Sequence, residues 1–194
     1  EQETRYDFAD ARYKGRGIDE AFSIDTSHHT PYGCSKLAGE LYVREFGGIA
    51  NRFSCMYGPQ QFGNEDQGWI AHFVISRLTG RPITVYGDGK QVRDVLFVSD
   101  VVRLLELQGV HAERLRGEVF SVGGGFQNTL SIRELCTILD APVSYGEWRP
   151  ADQKVYYSDI AKANRMLGWS PQISAQDGVS RIREWVASNI ESFR

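Results

Sequence analysis

Cysteine is scarce and carries no pattern. The three residues Cys34, Cys55 and Cys136 are an odd number at wide spacing, and no Cys-x-x-Cys occurs. The four histidines, His28, His29, His72 and His111, form no His-x-x-x-His pair. These absences argue against a disulfide framework and a structural zinc site. The thiols read as small apolar residues of a protein in a reducing, cytoplasmic compartment. Long apolar runs are missing as well: none approaches the roughly 18–20 residues of a membrane span. The first residues, Glu1-Gln2-Glu3-Thr4, lack the basic and apolar regions of a signal peptide. They also lack an initiator Met, so the expectation is a chain that begins inside a longer protein. No basic surplus exists: 22 Lys and Arg face 25 Asp and Glu, a net charge of −3. A nucleic-acid partner would call for a basic face or stripe. There is no internal repeat and no low-complexity segment.

What is present suits a globular chain with a real core: 194 residues, 41% hydrophobic and 24% charged. Residues 1–31 are polar and read as loop. Pro31 suits a helix start, and the stretch from Tyr32 to Phe46 reads as a helix with Leu37, Leu41 and Phe46 inward, ended by Gly47-Gly48. Residues 49–57 read as one strand, stopped by Gly58-Pro59. A helix over 69–79 turns Ile70, Phe73, Val74 and Leu78 to one side and closes at Gly80. Gly87-Asp88-Gly89 predicts a hairpin between strands 83–86 and 92–98. Ser99 is a candidate cap for a helix reaching Leu107. Val119–Val122 reads as a buried strand. Ser131-Ile132-Arg133-Glu134 is a capping box for a helix with Ile132, Leu135 and Leu139 inward. Residues 142–145 read as extended, Ser158 or Asp159 as the cap of a helix ending at Gly168, and Ser174 as the cap of a last helix with Val179, Ile182, Trp185 and Val186. Helices and strands alternate, which is the pattern of an α/β protein.

The sharpest chemical feature is Tyr32-Gly33-Cys34-Ser35-Lys36. Four residues on a helix bring side chains one turn apart on the same face. An ammonium beside a phenol favours the phenolate through charge and hydrogen bonding. Spacing alone is weak, and by itself fits a surface Lys next to a half-buried Tyr better. His28 and His29 read as solvated loop residues, and His72 as structural. The four tryptophans read as core. Gly123-Gly124-Gly125 reads as a strand-exit turn, since it lacks both Gly-x-Gly-x-x-Gly and a Walker lysine.

The segments around this pair change its weight. Tyr32 to Lys36, Arg52-Phe53-Ser54-Cys55-Met56-Tyr57-Gly58-Pro59, Val85-Tyr86-Gly87-Asp88-Gly89 with Arg93-Asp94, Val119 to Gly124, Arg149-Pro150-Ala151-Asp152, and Asp159 to Pro171 occur in order across residues 32–171. Together they resemble the extended short-chain dehydrogenase/reductase family, the nucleotide-sugar epimerases and dehydratases. Asp66-Gln67-Gly68-Trp69 and Lys90-Gln91-Val92-Arg93-Asp94-Val95 resemble its branch acting at C2 of CDP-linked dideoxyhexoses.

The resemblance implies NAD as cofactor, a nucleotide sugar as substrate, and a homodimer or higher homo-oligomer. It implies the C-terminal part of a Rossmann-type fold with a smaller α/β substrate-binding domain. Residues 1–60 would be what remains of the NAD-binding domain. Residues 61–194 would be mainly the substrate domain, with 92–124 returning to the first. Tyr32 would be the acid/base, with Lys36 supporting it and holding the nicotinamide ribose. Arg52 and Phe53 would lie at the cofactor. Arg93 and Arg149 would clamp the diphosphate, a task that suits guanidinium forks. Asp152 would bond a ribose or orient Arg149, and Gln67 and Trp69 would sit near the nucleotide or sugar. Cys55 stands where the wider family has Asn, so no polar sugar contact is carried onto it. A dinucleotide-binding half needs a strand, a glycine-rich turn and a helix. No such glycine fingerprint precedes Tyr32, and the family's catalytic Ser or Thr has no clear counterpart.

Overall fold

The computed structural model describes residues 2–25, 29–150 and 152–193. His28 and Ala151 lie outside the described residues. The segment up to residue 25 holds no helix or strand beyond a single bridge between Ile18 and Ser158. Side chains pin it to the body. Arg5 donates to the Glu134 carboxylate and to Thr129 Oγ1, Arg16 pairs with Asp159, and Tyr157 donates its hydroxyl to Asp7.

Helix α1 (Pro31–Glu45) begins with Thr30, whose side chain accepts from the Gly33 N–H. It buries no residue at all. Leu41 and Phe46, expected inward, are 56% and 81% exposed, and Leu37 is half-buried. Nothing described packs over their face. An ion pair from Arg52 to Glu40 (2.7 Å) ties α1 to the strand that follows.

The strand expected over 49–57 is two strands. β1 (Ala50–Phe53) pairs parallel with β5 (Val119–Val122), and β2 (Cys55–Tyr57) pairs parallel with β4 (Val92–Phe97). The chain changes partners at Ser54, whose N–H donates to Val122 and whose hydroxyl donates to the Asp94 carbonyl and carboxylate. β4 is the centre of the larger sheet, taking β6 (Thr129–Ser131) antiparallel and β8 (Val155–Tyr156) parallel.

The expected hairpin does not form. β3 (Thr84–Tyr86) pairs parallel with β7 (Ser144–Gly146). Its glycine-rich turn is used elsewhere: Gly87 N–H donates to Gly146, the Asp88 carboxylate accepts from Tyr6 and Lys90, and the Asp88 carbonyl accepts from Arg133.

Helix α2 (Trp69–Thr79) packs Ile70, Phe73 and Val74 inward. It stops at Gly80, whose φ of 71° is the left-handed conformation a side chain disfavours. α3 (Val98–Val110) starts one residue before Ser99 and has no side-chain cap. The carboxylate in its first turn, Asp100, is instead spent on the N–H groups of Gln172 and Ile173. α4 (Ile132–Leu139) has the full capping box expected of Ser131 and Glu134. α5 (Ala161–Leu167) begins after Ile160, while Asp159 still accepts from the Ala161 N–H. α6 (Ala175–Ser188) is capped by Ser174.

Two apolar clusters hold these elements. One joins α2, α4 and α6 to β2, β3 and β4 through Tyr57, Ile70, Val85, Leu135 and Ile182. The other joins α3 and α5 to β4 and β5 through Leu104, Phe120, Val122 and Trp169. Trp169 is fully buried, as read from sequence, but Trp148 is 41% exposed.

Candidate active site

The strand β4 starts the site. Arg93 lies on it half-buried, and its guanidinium donates to Asp152 Oδ1 at 3.1 Å. The other carboxylate oxygen accepts from Gln91 Nε2 at 3.0 Å. Asp152 therefore bridges Arg93 on β4 and Gln91, the residue just before that strand. The pairing of β8 with β4 carries the chain segment after Asp152 alongside. Asp152 had been expected to serve a ribose or Arg149; its ion-pair partner is Arg93.

Arg149 is held differently. Its guanidinium carbon stands 4.3 Å over the Tyr86 ring, it donates to the Glu65 carbonyl at 3.0 Å, and Asp66 lies 3.6 Å away. Stacking fixes the plane of the fork and leaves donor edges open. Tyr86 donates its hydroxyl to the Glu65 carboxylate, a bond that pushes the phenol upward in pKa.

These groups face one cleft of about 180 Å³, with Trp69, His72 and Phe73 as an aromatic side. Burial pushes the His72 imidazole down, toward the neutral form. The Trp69 indole N–H has no partner by strict geometry and faces the Cys55 thiol. Burial pushes that thiol up, which makes it a poor nucleophile. The chemical character is plain: two guanidiniums at different positions, aromatic faces, and buried acceptors.

Asp94, next to Arg93 on β4, is fully buried. Its carboxylate accepts from Ser54 and from the N–H groups of Gly125 and Ser158, each N–H at 3.1 Å. Burial pushes its pKa up against those bonds. The glycine at 123 is a requirement here, because a Cβ would stand 2.0 Å from Asp94 Oδ2. The glycine run is thus the strand-exit turn read from sequence, wrapped on a buried acid.

Tyr32 and Lys36 meet on α1, with Lys36 Nζ 5.1 Å from the Tyr32 ring centroid. Tyr32 is 70% exposed, and neither residue lines the cleft. Arg52 donates to Glu40 and to the Glu20 carbonyl. Phe53 is half-buried at the end of β1. Gln67 is exposed on a turn closed by Asn64 and does not line the cleft. Of the residues singled out in the sequence, the cleft gathers Trp69, Arg93, Arg149 and Asp152. Sequence reasoning gave Tyr86 and Gln91 no role of their own and read His72 as structural, whereas all three line the cleft. Among the described residues no group of three or more His, Cys, Asp or Glu side chains is placed to hold a metal ion. None of the described helices is long and apolar enough to cross a membrane.

This architecture matches proteins of known kind. Residues 12–123 match the model of the NAD dependent epimerase/dehydratase family. The CDP-paratose 2-epimerase of Salmonella typhi is 37% identical, an alignment covering 97% of this chain and 59% of that protein. The chain belongs to the NAD-dependent epimerase/dehydratase family. A dTDP-glucose 4,6-dehydratase of Neisseria gonorrhoeae is 31% identical over 89% of this chain and 56% of its own length. Among solved structures, Pal from Bacillus thuringiensis matches with a TM-score of 0.82 at 28% identity, over 96% of this chain and 60% of Pal. MoeE5 in complex with UDP-glucose and NAD matches with a TM-score of 0.77 at 29% identity, over 91% and 62%. The chain therefore spans about three-fifths of the length of these relatives.

Tyr32 and Lys36 are exposed side by side on α1, and Phe53 ends the strand that follows, half-buried. No glycine-rich turn between a strand and a helix is present among the described residues to cradle a pyrophosphate.

Proposed function

We propose that this chain is the substrate-side portion of an NAD-dependent nucleotide-sugar epimerase acting at C2 of a CDP-linked dideoxyhexose. Residues 1–60 and 92–124 belong with the cofactor domain in this reading, and the remainder forms the nucleotide-sugar unit. The observation that carries it is the cleft in which Arg93 and Arg149 converge beside an aromatic wall. Two forks suit the oxygens of a diphosphate, and the rings suit a base. The CDP assignment and the position of inversion are supported by the 37% identity to the CDP-paratose 2-epimerase, against 31–32% for relatives named for dTDP and UDP sugars.

In this mechanism Arg93 and Arg149 anchor the diphosphate, which fixes the sugar toward α1. Tyr32 takes the proton of the C2 hydroxyl and returns it after inversion. Lys36, whose Nζ stands 5.1 Å from the Tyr32 ring centroid, holds the nicotinamide ribose beside it in this reading. NAD, when bound, supplies the hydride acceptor and donor, so the overall reaction is redox-neutral. The protein's own work is orientation and proton transfer.

Incubating the full-length protein with CDP-paratose and with UDP-glucose, and following stereochemistry by NMR, tests the assignment. Inversion at C2 of CDP-paratose is expected. Turnover of UDP-glucose alone overturns it in favour of a 4-epimerase or 4,6-dehydratase.

A further inference from the structure

We propose that residues 64–67 form an acidic gate on the cleft: the Asp66 carboxylate holds Arg149 in the free protein, and the diphosphate of the incoming nucleotide takes Arg149 from it as the gate swings. The inference rests on the reading of the cleft as a nucleoside diphosphate site.

The segment is built as a unit. Asn64 and Gln67 exchange backbone hydrogen bonds, 2.9 Å from the Asn64 N–H and 3.3 Å from the Gln67 N–H. The Asn64 side-chain oxygen also accepts from the Asp66 and Gln67 N–H groups, each at 2.9 Å. All four residues are exposed. Glycines flank them. Gly63 lies so close to the start of α2 that a Cβ would stand 2.5 Å from the His72 nitrogen, and Gly68 has a φ of 72°. A closed turn between two glycines can swing as one piece without unmaking its own bonds.

Two ties hold this piece to the body. On one side Arg149 donates to the Glu65 carbonyl at 3.0 Å and stands 3.6 Å from Asp66 Oδ1. On the other, the Tyr86 hydroxyl donates to the Glu65 carboxylate. Arg149, Tyr86 and Glu65 all line the cleft. The guanidinium assigned to phosphate is thus engaged by an acid before any ligand arrives. The Asp66 side chain is 87% exposed, so solvent screens its hold. A diphosphate carries more charge and offers paired oxygens to the fork, so it displaces the carboxylate. The Tyr86 tie involves no phosphate-binding group and persists in both states. The two ties therefore act on different steps. A tie made only in the free protein lowers apparent affinity by slowing entry, whereas a tie made in both states slows entry and exit alike.

The test follows CDP binding to the intact chain by stopped-flow tryptophan fluorescence, with Trp69 on the cleft lining as reporter. In Asp66→Asn the association rate constant is expected to rise about two- to fivefold with the dissociation rate constant unchanged. In Tyr86→Phe, which keeps the ring under Arg149, both rate constants are expected to rise by at least about twofold, with their ratio held within about twofold. Glu65→Ala cuts the same tie from the exposed side and provides the comparison should Tyr86→Phe disturb the fold. Faster exit is the discriminating sign there, because removing a carboxylate beside bound phosphate would by itself slow exit. Slower exit from Asp66→Asn overturns the inference, since it would leave Asp66 beside the bound phosphates. Unchanged rate constants in Tyr86→Phe overturn it as well, and both results leave the nucleotide site standing. Failure of CDP to bind the unmodified chain removes the site itself, and with it this inference.

Discussion

In the proposed reading Arg149 serves binding and Tyr32 serves chemistry. Arg149 stands with its guanidinium carbon 4.3 Å over the Tyr86 ring, spends one donor on the Glu65 carbonyl and lines the cleft. Lysine keeps the charge and loses both the stacking and the fork. Arg149→Lys is expected to weaken CDP binding by about tenfold, measured by calorimetry. Tyr32 lies outside the cleft lining, on α1. Tyr32→Phe is expected to keep CDP affinity while lowering turnover by about 10²-fold or more, measured by NMR on the full-length protein. A near-normal rate would remove Tyr32 from its role. The four cleft residues that the sequence identified came from ordered motifs, since no spacing joins Arg93 to Arg149. The Asp152–Arg93 pair was not legible, because it depends on the register in which β8 meets β4, Val92 opposite Val155. Asp94, adjacent to Arg93 in sequence, points to the opposite face of β4 and is fully buried.

Helix ends were the most legible elements, and strand partners the least. Ser131 and Glu134 announce α4 because the capping box is a local chemistry, complete within four residues. The break at Ser54 is not local: it arises where two different strands compete for one extended segment. The hairpin failed likewise, since a glycine turn permits a reversal without choosing the partner. Ser131→Ala is expected to destabilise the fold by about 1 kcal/mol in chemical denaturation. Glu134 adds a pH dependence. Its burial acts to raise its pKa, but the Arg5 hydrogen bond, the Ser131 N–H and the Arg5 charge outweigh this and hold it below the usual carboxylate range. A lowered folded-state pKa stabilises above the unfolded value of roughly 4.3 and is lost as pH falls through the folded value. The melting temperature should drop below about pH 4.3, and Glu134→Gln should make that drop shallower.

At the scale of the whole molecule, burial is uneven. α1 buries nothing, and its Tyr32, Tyr42 and Phe46 are 70%, 69% and 81% exposed, whereas α2 and α6 bury residues along their length. Helical stability comes mainly from packing of an apolar face, so α1 is held chiefly by the Arg52–Glu40 pair and its caps. Amide exchange should therefore be faster in α1 than in α2, and equal protection would show that its face is covered in solution. The cleft proposed for the nucleotide stands on the opposite footing. Its lining runs from Glu65 to Asp152, on elements packed around the larger apolar cluster, and needs nothing from α1. The 194-residue chain is accordingly expected to bind CDP without added NAD, while NAD gives no saturable signal at concentrations where CDP saturates. Because two guanidiniums supply the attraction, CDP affinity should fall with added salt as screening shortens to about 8 Å at physiological ionic strength and less beyond. Saturable NAD binding by this chain would mean that the residues before Tyr32 supply a pyrophosphate cradle of another kind. CDP binding insensitive to salt would take the diphosphate off Arg93 and Arg149 and leave the aromatic wall as the source of affinity.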